Sequence, residues 1–449
     1  MRRITLKPGE VFEESQLQRV GAFDAQALVS ATAIIEAVRQ HGDEALREFT
    51  EKFDGVKIEN FRVSDAAIDE AITKVDPQVA DALRVAAKQI RDFHERQRQQ
   101  SWFTVREDGA LVGAKVEPLD SVGIYVPGGR ALYPSSVLMN AIPASVAGVK
   151  RIVCVTPPTK DGSLDPAILE ACRIAGVTEI YSVGGAQAIA ALAYGTQSIK
   201  KVDKITGPGN AFVAAAKKIV SGDVGIDMIA GPSEVCVLAD ETALPELVAV
   251  DLMAQAEHDP LASCYLVTFS EDYANQVERA IENLIKNSTR EEITAQSLTN
   301  KGLVVICVSL AQALQTINVI APEHLELHVS HAMDLLGSIR NAGAIFLGEW
   351  TPEAVGDYAA GPNHTLPTGG TARFSSPLSV DEFVKKSSII QYSAAALKND
   401  AKAIETIADH EGLWAHAQSV RLRMKLMEQG QASVEGSAAS AIDNEKSRD

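Results

Sequence analysis

Strand-like and helix-like segments alternate along this chain from residue 121 onward, and the alternation limits the possible folds more than any other feature. Short apolar runs predict strands at residues 122–126, 152–155, 180–183, 235–238, 265–269 and 304–308. Helical periodicity predicts helices at residues 165–175, 186–193, 210–220 and 310–320. Parallel strands need a crossover connection between them, so this order favours an α/β fold with mainly parallel sheets.

The length of the chain favours more than one such sheet, because 449 residues exceed one ordinary hydrophobic core. We predict two Rossmann-like α/β domains, each an incomplete, doubly wound sheet, with a small N-terminal arm and a C-terminal helical segment. The expected boundaries are residues 1–22 for the arm, 23–125 with 235–374 for the first α/β domain, 126–234 for the second, 375–428 for the helical segment and 429–449 for a disordered tail.

Charge and cysteine usage restrict the partners and the compartment. A formal net charge of −17 argues against binding to nucleic acid or anionic membranes, and it means that an anionic cofactor needs a local binding device. The five cysteines are odd in number and form no Cys-x-x-Cys motif. We therefore expect buried, reduced thiols in a cytoplasmic protein, and no thiolate metal site.

Two uncharged stretches, residues 131–149 and 180–199, are long enough to consider as membrane spans. Pro134 and Pro143 interrupt the first, and glycines and glutamines interrupt the second, so neither is expected to cross a bilayer. The polar start of the chain lacks an apolar segment long enough for a signal peptide.

Three glycine-rich loops follow predicted strands, at residues 127–130, 184–187 and 206–210. Glycine lets a phosphate approach the backbone, and a following helix offers free amides at the positive end of its dipole. None of the loops has the spacing Gly-x-Gly-x-x-Gly, since Phe212 stands at the third position after Gly207 and Gly209. A glycine-rich turn of a doubly wound sheet needs no ligand, so the loops alone leave nucleotide binding open.

Gln255 and His258 lie three residues apart at the end of a segment with helical periodicity, residues 244–258. On a helix their side chains share a face, and Pro260 predicts a helix end and a loop beside them. One imidazole and one amide oxygen on one face are half of a metal site that lacks thiolates. The alternative is a solvated helix terminus.

Glu323 and His324 are adjacent and follow the helix predicted at residues 310–320. From a loop or a helix start their side chains point in different directions and can serve different partners. A glutamate can activate water, and a histidine can take a proton from an alcohol near neutral pH. The alternative is an ordinary first helical turn, opened by Pro322 and favoured by the helix dipole.

Two later segments also combine a carboxylate with a histidine. Asp357 and His364 lie in residues 356–368, a glycine- and proline-rich stretch with the composition of an active-site loop. Asp357 is a plausible hard ligand for zinc and His364 could hydrogen-bond a substrate, the alternative being a turn-stabilising aspartate and a surface histidine. Glu411 and His416 form a third pair in the late helical segment. The recurrence favours a zinc-type centre, although spacing in sequence does not prove convergence in space.

Taken in order, these motifs resemble those of histidinol dehydrogenases over residues 4–425. Each motif alone is weak, whereas all of them in sequence are highly specific. They are Gly123-Ile-Tyr-Val-Pro-Gly-Gly, Gly184-Gly-Ala-Gln-Ala, Thr206-Gly-Pro-Gly-Asn, Ala230-Gly-Pro-Ser-Glu, Ala254-Gln-Ala-Glu-His, Pro322-Glu-His-Leu-Glu, Gly361-Pro-Asn-His-Thr-Leu-Pro-Thr and Glu411-Gly-Leu-Trp-Ala-His.

The resemblance implies a role for each candidate residue. One Zn²⁺ per subunit is implied to be held by Gln255, His258, Asp357 and His416. The implied substrate contacts are these four ligands together with Ser233, His324, His364 and Glu411. Glu411 and His416 are implied to come from the second subunit, so that a homodimer built through residues 375–428 shares its active sites. NAD is implied to contact Tyr125, Gln187 and Asn210, within or beside the second α/β domain.

The reaction implied by the resemblance is the oxidation of L-histidinol to L-histidine, the last steps of histidine biosynthesis, with two NAD⁺ and one water through a bound aldehyde. His324 is implied to take the hydroxyl proton and Glu323 to activate the water, while zinc mainly positions the substrate. The closest alternative is a related zinc- and NAD-dependent dehydrogenase of another small amino or sulfonated alcohol, which need not keep Glu411 and His416. A non-catalytic zinc or nucleotide-binding protein would have no reason to combine Glu323, His324 and both sets of loops.

Overall fold

The computed structural model of the protein describes residues 1–19, 21–128 and 132–429, and it divides into two compact units. Unit 1 comprises Met1–Arg98 and Pro118–Val384, and unit 2 comprises Gln99–Glu117 and Lys385–Asp449. Of the tail expected at residues 429–449, only Gln429 lies within the described residues, as the cap of the last helix.

The strands of the described residues form three sheets. In chain order the strands are β1 (Arg2–Thr5), β2 (Trp102–Val105), β3 (Leu111–Pro118), β4 (Ser121–Tyr125), β5 (Arg151–Thr156), β6 (Glu179–Ser182), β7 (Lys204–Thr206), β8 (Gly225–Ile226), β9 (Glu234–Ala239), β10 (Ser263–Thr268), β11 (Leu303–Ile306), β12 (His324–His328), β13 (Ala344–Leu347) and β14 (Val384–Gln391).

The helices alternate with these strands as the sequence predicts. In chain order they are α1 (Ala25–His41), α2 (Asp43–Asp54), α3 (Asp65–Ile72), α4 (Pro77–His94), α5 (Pro134–Ala147), α6 (Pro166–Ala175), α7 (Gly185–Tyr194), α8 (Ala211–Val220), α9 (Pro245–Ala256), α10 (Glu271–Leu284), α11 (Glu291–Lys301), α12 (Leu310–Ile320), α13 (Glu353–Tyr358), α14 (Ala394–His410) and α15 (Trp414–Glu428).

Unit 1 contains two parallel sheets, which confirms the predicted α/β class. The six-stranded sheet has the order β1-β11-β10-β9-β12-β13, and the five-stranded sheet has the order β6-β5-β4-β7-β8. Each pairing in both sheets is parallel. The third sheet has the order β14-β3-β2, with β2 and β3 antiparallel.

Helices cover both faces of the five-stranded sheet because its inner strands are apolar on both faces. On one face, Val153 and Val155 of β5 are buried with the apolar sides of α1, α2, α7 and α8. On the other face, Ile152 and Cys154 are buried with α4, α5 and α6. β5 and β6 lie on one side of β4, and β7 and β8 lie on its other side, so the strand order reverses at β4. Loops at the carboxyl ends of strands beside such a reversal are a usual place for ligands.

The six-stranded sheet is layered in the same way. Val235 and Val237 of β9 are buried with α9 and α10 on one face, and Cys236 and Leu238 are buried with α12 on the other. Leu6, close behind β1, belongs to the second of these clusters, so the start of the chain is part of the core.

The sheets group the chain differently from the expected domain boundaries. β4 precedes residue 126, yet it is the central strand of the five-stranded sheet, and α1, α2 and α4 pack on that sheet too. β1 lies in the range expected for an arm, yet it pairs with β11 at the edge of the six-stranded sheet. These groupings come from contacts between residues far apart in sequence, which local periodicity does not report.

The described residues of unit 2 form two helices, α14 and α15, over most of the range expected to be helical, with β14 before them. Small side chains such as Ala401 and Ala417 are buried in these helices. None of the described helices combines the length and hydropathy that a membrane span requires. All five cysteines are buried and unpaired, as the sequence predicts.

Candidate active site

A row of polar side chains on one face of β12 forms the base of the site. His324, Glu326 and His328 alternate with Leu325 and Leu327, so the three polar side chains share a face. The polar face meets α9, and the leucines belong to the buried cluster that contains α12. The expected loop or helix start at His324 is therefore wrong, because this residue begins a buried interior strand.

His324 is held in one tautomer by its surroundings. Its Nδ1 lies 3.3 Å from the Glu234 backbone oxygen and 3.2 Å from Oε1 of Gln255, and since a backbone oxygen can only accept, Nδ1 carries the proton. Nε2 is buried with no hydrogen-bond partner among the described residues, 3.9 Å from Oδ1 of Asp357. Burial lowers the pKa of His324 to about 3, so Nε2 is unprotonated at neutral pH.

Gln255 and His258 stand at the end of α9, as the sequence predicts. Gln255 lies in the last turn and is only 1% exposed, so the alternative of a solvated helix terminus is wrong for this residue. His258 follows the helix and is half-buried. The helix thus presents an amide oxygen and an imidazole toward the amino ends of β9 and β12.

His258, Glu353 and Asp357 bring one potential ligand atom each to within 4.8 Å of one another. Asp357, expected in a loop, lies in the short helix α13, one turn after Glu353. Burial raises the pKa of Asp357 to about 6, and the nearby His258 opposes the rise. Oε2 of Glu353 is buried without a partner among the described residues. Two crowded carboxylates, one imidazole and no sulfur form a donor set that fits Zn²⁺.

Glu323 lies immediately before β12 and is buried beside the start of β9. Its Oε2 accepts the Glu234 backbone N–H at 2.9 Å, and the side chain of Ser233 also hydrogen-bonds it. Burial raises the pKa of Glu323 well above its usual range, against these hydrogen bonds. Oε2 lies 4.0 Å from Nδ1 of His324, so two groups with shifted pKa values are neighbours. A carboxylate with a raised pKa is a stronger general base as long as it remains ionised.

His364 contacts α13, the helix that carries Asp357. Its Nδ1 donates to the Asp357 backbone oxygen at 3.1 Å, and its Nε2 lies 3.4 Å from Oγ of Ser136. Burial lowers the pKa of His364 to about 4, so the ring is neutral. The structure therefore brings the predicted pair of Asp357 and His364 together.

Glu411 and His416 belong to unit 2, whereas the residues described above belong to unit 1. Glu411 caps the end of α14, and His416 lies in the first turn of α15. Both side chains are exposed, as are Leu413 and Trp414 between them.

A cavity of about 630 Å³ opens beside His258 and Asp357. Its wall is mostly apolar and comes from α4 and from the residues at the start of α5, including Leu83 and Tyr133. Arg290 is a cation among the lining residues. The volume and the apolar wall are those of a small-molecule site.

The glycine-rich loops after β4, β6 and β7 meet around Tyr125, at the reversal point of the five-stranded sheet. The buried Tyr125 hydroxyl accepts the Gly185 backbone N–H at 3.1 Å. Gly207 approaches so closely that an added Cβ would lie 2.2 Å from the Tyr125 carbonyl oxygen. The first loop is described as far as Gly128, and the rest of the expected segment, residues 129 and 130, lies outside the described residues.

Gln187 and Asn210 stand at the starts of α7 and α8. Gln187 is buried, and its Oε1 lacks a partner within the described part of the chain. The side chain of Asn210 caps α8 by accepting backbone N–H groups of its first turn. α7 begins after Gly184 without a side-chain cap. Tight glycines, first-turn amides without a side-chain cap and an unpaired buried amide fit a dinucleotide.

Glu353 is the site residue that sequence reasoning missed. Its signal was the four-residue spacing to Asp357, which puts both carboxylates on one face of a helix. Because the segment reads as a loop from residue 356 onward, the helix that starts at Glu353 was not expected.

Comparisons with known proteins agree with the motifs. A protein-family model described as histidinol dehydrogenase matches residues 17–424. Over 391 residues the chain is 54% identical to a histidinol dehydrogenase of Bacillus subtilis, a match that covers 87% of this chain and 92% of that protein. A relative of the same name from Clostridium acetobutylicum is 51% identical over 417 residues, with 93% and 97% covered. A crystal structure of histidinol dehydrogenase from Elizabethkingia anophelis matches with a TM-score of 0.91 and 38% identity, covering 95% of this chain and 99% of that one.

Proposed function

We propose, from the premise that this chain belongs to the histidinol dehydrogenase family, that it oxidises L-histidinol to L-histidine with two NAD⁺ at a Zn²⁺ site shared by two copies of the chain. Membership of the family makes it an oxidoreductase of histidine biosynthesis. The observation that carries the proposal is the convergence of polar side chains around His324. Its Nδ1 lies 3.2 Å from Oε1 of Gln255 and 4.0 Å from Oε2 of Glu323. Its unprotonated Nε2, which has no partner among the described residues, lies 3.9 Å from Oδ1 of Asp357, which in turn clusters with His258.

The proposed ligands of Zn²⁺ are Gln255, His258 and Asp357 of one copy and His416 of the second copy. Their nitrogen and oxygen donors suit this metal, and the crowding of Glu353 against Asp357 favours a cation nearby. When bound, Zn²⁺ would hold the amino and imidazole nitrogens of the substrate and so fix the reacting carbon.

His324 is the proposed base of the first oxidation. Its Nδ1–H is fixed by the Glu234 carbonyl, which aims Nε2 at the side of Asp357. Nε2 takes the proton of the histidinol hydroxyl group while a hydride passes from the carbon that bears this group to NAD⁺. The alcohol is thereby converted to an aldehyde. The lowered pKa keeps Nε2 free of a proton before the substrate arrives.

Glu323 is the proposed base of the second oxidation. It takes a proton from water while the water oxygen adds to the aldehyde carbon. The hydrate anion that forms loses a hydride to NAD⁺, and the resulting carboxylic acid releases a proton to give the carboxylate. The Glu234 N–H and Ser233 hold this carboxylate 4.0 Å from His324. Both bases thus serve one reacting carbon, and the reactive aldehyde need not leave between the steps.

The loops around Tyr125 are the proposed NAD site, with Tyr125, Gln187 and Asn210 as its contacts. NAD⁺, when bound, supplies the hydride acceptor for both oxidations. The net charge of −17 repels a dinucleotide, so the amides at the start of α7 are the local attraction that such a ligand needs.

The proposed active form is a homodimer in which unit 2 of one copy completes the site of the other. Its support is that Glu411 and His416 are exposed in a unit that also exposes Trp414, Trp102 and Phe103. Aromatic side chains are enriched at protein interfaces. The expected compartment is the cytoplasm, where buried free thiols stay reduced.

The function is tested by following NADH absorbance in the near ultraviolet with purified protein. We expect two NADH for each L-histidinol consumed and little with generic diols or with other small amino or sulfonated alcohols. Faster turnover of one of those alcohols than of histidinol would favour the related dehydrogenase. Failure to reduce NAD⁺ with any alcohol would favour a binding protein and contradict the proposal.

The metal is tested with His258→Ala. Metal analysis should find about one Zn²⁺ per wild-type chain and a large loss of metal and activity in the variant, because an imidazole ligand is gone. His41→Ala, which changes an exposed histidine at the end of α1, is the matched control and should keep both. Full activity of His258→Ala without bound metal would contradict the proposed zinc site.

A further inference from the structure

A second polar cluster lies deeper along β12, next to the proposed site and outside its set of ligands and bases. Nε2 of His328 is 3.3 Å from Oδ2 of Asp251 and 3.3 Å from Oε2 of Glu326. All three side chains are less than 10% exposed. No step of the proposed reaction uses them, so a buried cluster of three ionisable groups requires another explanation.

The cluster links the three elements that carry the proposed site. Asp251 lies on α9, one helical turn before Gln255. His328 lies two residues after Glu326 on β12, so the two side chains share a face of the strand. Two side-chain contacts therefore join α9 to β12. Oδ2 of Asp251 lies 3.3 Å from Nε2 of His328, and Oε1 of Gln255 lies 3.2 Å from Nδ1 of His324.

Glu326 extends the cluster to α13. Its Oε1 accepts the backbone N–H of Glu353 at 2.8 Å, while its Oε2 faces His328. Glu353 is the first residue of the short helix that carries Asp357. One carboxylate therefore ties β12 to the start of α13 and, through His328, to α9.

We propose that Asp251, Glu326 and His328 are a positioning triad that fixes α9, β12 and α13 relative to one another, and so sets the places of Gln255, His324 and Asp357. The inference rests on the proposed function, because it assigns the triad a role in Zn²⁺ binding by that same site. Burial alone would lower the pKa of His328, but hydrogen bonds to Asp251 and Glu326 raise it to about 9, which keeps the imidazole charged between the two carboxylates. A second metal ion is the competing explanation, and the hydrogen-bonding separations from Nε2 favour a proton there instead.

The test compares variants of neighbouring residues on β12. Glu326→Ala removes both ties, and we expect the dissociation constant for Zn²⁺ to rise about 10- to 100-fold, as for other residues that orient metal ligands. Glu326→Gln keeps an oxygen for the Glu353 N–H and should recover most of the affinity. Leu327→Ala is the matched control: it cuts a fully buried side chain from the opposite face of the strand and should lower the melting temperature with little change in Zn²⁺ affinity.

Asp251→Ala is the second variant, in case Glu326→Ala does not fold. It leaves the His328–Glu326 pair intact and frees α9 alone, so we expect weaker Zn²⁺ binding in a folded chain. Equal losses of Zn²⁺ affinity in Glu326→Ala and Leu327→Ala, or two Zn²⁺ per wild-type chain with one lost in Glu326→Ala, would overturn the triad alone. A wild-type chain that binds no Zn²⁺ would overturn the proposed function and the triad with it.

Discussion

At the scale of single residues, the two nitrogens of His324 have different neighbours. Nδ1 faces the Glu234 carbonyl, while Nε2 has no partner among the described residues and faces the side of Asp357. A carboxylate in this position could not donate to the carbonyl and accept a proton from a substrate at once. The proposed base is therefore an imidazole that the Glu234 carbonyl and the Gln255 side chain orient through Nδ1.

Glu323→Gln separates the two oxidations. The amide oxygen can still accept the Glu234 N–H, so the fold should persist, but the amide cannot take a proton from water. We expect the rate with histidinaldehyde to fall by about 10²–10⁴-fold, the usual contribution of a general base, and the rate of histidinol oxidation to fall much less. Single-turnover NADH formation from each substrate measures both rates. Equal losses would refute the assigned role of Glu323.

Most residues of the site could be chosen from the sequence because their chemistry is conspicuous in their segments. Gln255 and His258 stand where a helix pattern ends, and Glu323 and His324 stand beside Pro322. Glu353 could not be chosen, because it precedes the glycine- and proline-rich stretch and looks like a surface glutamate. The tautomer of His324 could not be predicted either, since it depends on a backbone oxygen 90 residues away.

Among elements, the contact of α9 with β12 has a pH dependence that follows from His328. A folded pKa of about 9, above the unfolded value near 6.5, means that the stabilisation is complete below about pH 6.5 and is lost as the pH rises through 9. We expect the wild-type free energy of unfolding to fall by about 3 kcal/mol over this range, relative to His328→Gln. Urea unfolding at a series of pH values measures the difference. Parallel pH profiles for the two proteins would contradict the charged state of His328.

The turn after β7 is held by a buried ion pair. Lys217 of α8 pairs with Asp227, and it also donates to the Gly207 carbonyl at 2.9 Å. Asp227 accepts the Gly207 N–H at 2.8 Å, so the pair fixes both sides of the glycine next to Tyr125.

Asp227→Ala should therefore disturb the proposed NAD site. Loss of one partner of a buried pair costs about 3–5 kcal/mol of stability, and we expect a KM for NAD⁺ raised about tenfold or more with a smaller change in the KM for histidinol. Glu179→Ala, which breaks the ion pair of Glu179 with Arg151 elsewhere on the same sheet, is the control. Steady-state kinetics below the melting temperature measure both constants. Equal changes in the two KM values would argue against a local effect on the NAD loops.

Regular elements were predictable where their pattern is local. Apolar runs predict the strands β4, β5, β6, β9, β10 and β11. Apolar residues at helical spacing predict the helices between them. β12 was missed because three of its five residues are polar and face α9, so the strand lacks an apolar run. β1 was missed because its arginines give no strand signal before β11 is beside it.

For the whole molecule, the sequence indicated the class of fold better than its division. Two parallel sheets follow from the alternation, but β2, β3 and β14 join residues that are more than 260 positions apart. No local pattern reports such a pairing, and none reports that β4 and α1 belong with the same sheet. The proposed shared site would likewise be a property of two chains, and the sequence suggests it only through resemblance.

Co-expression of two inactive variants, His258→Ala and His416→Ala, tests the shared Zn²⁺ site most directly. Each variant alone lacks one proposed ligand in every site. In a doubly tagged heterodimer, unit 1 of the His416→Ala chain would meet unit 2 of the His258→Ala chain and form one intact site. We expect the purified heterodimer to recover about half of the wild-type activity per dimer, with about one Zn²⁺ bound. A heterodimer as inactive as its parents would contradict the shared site.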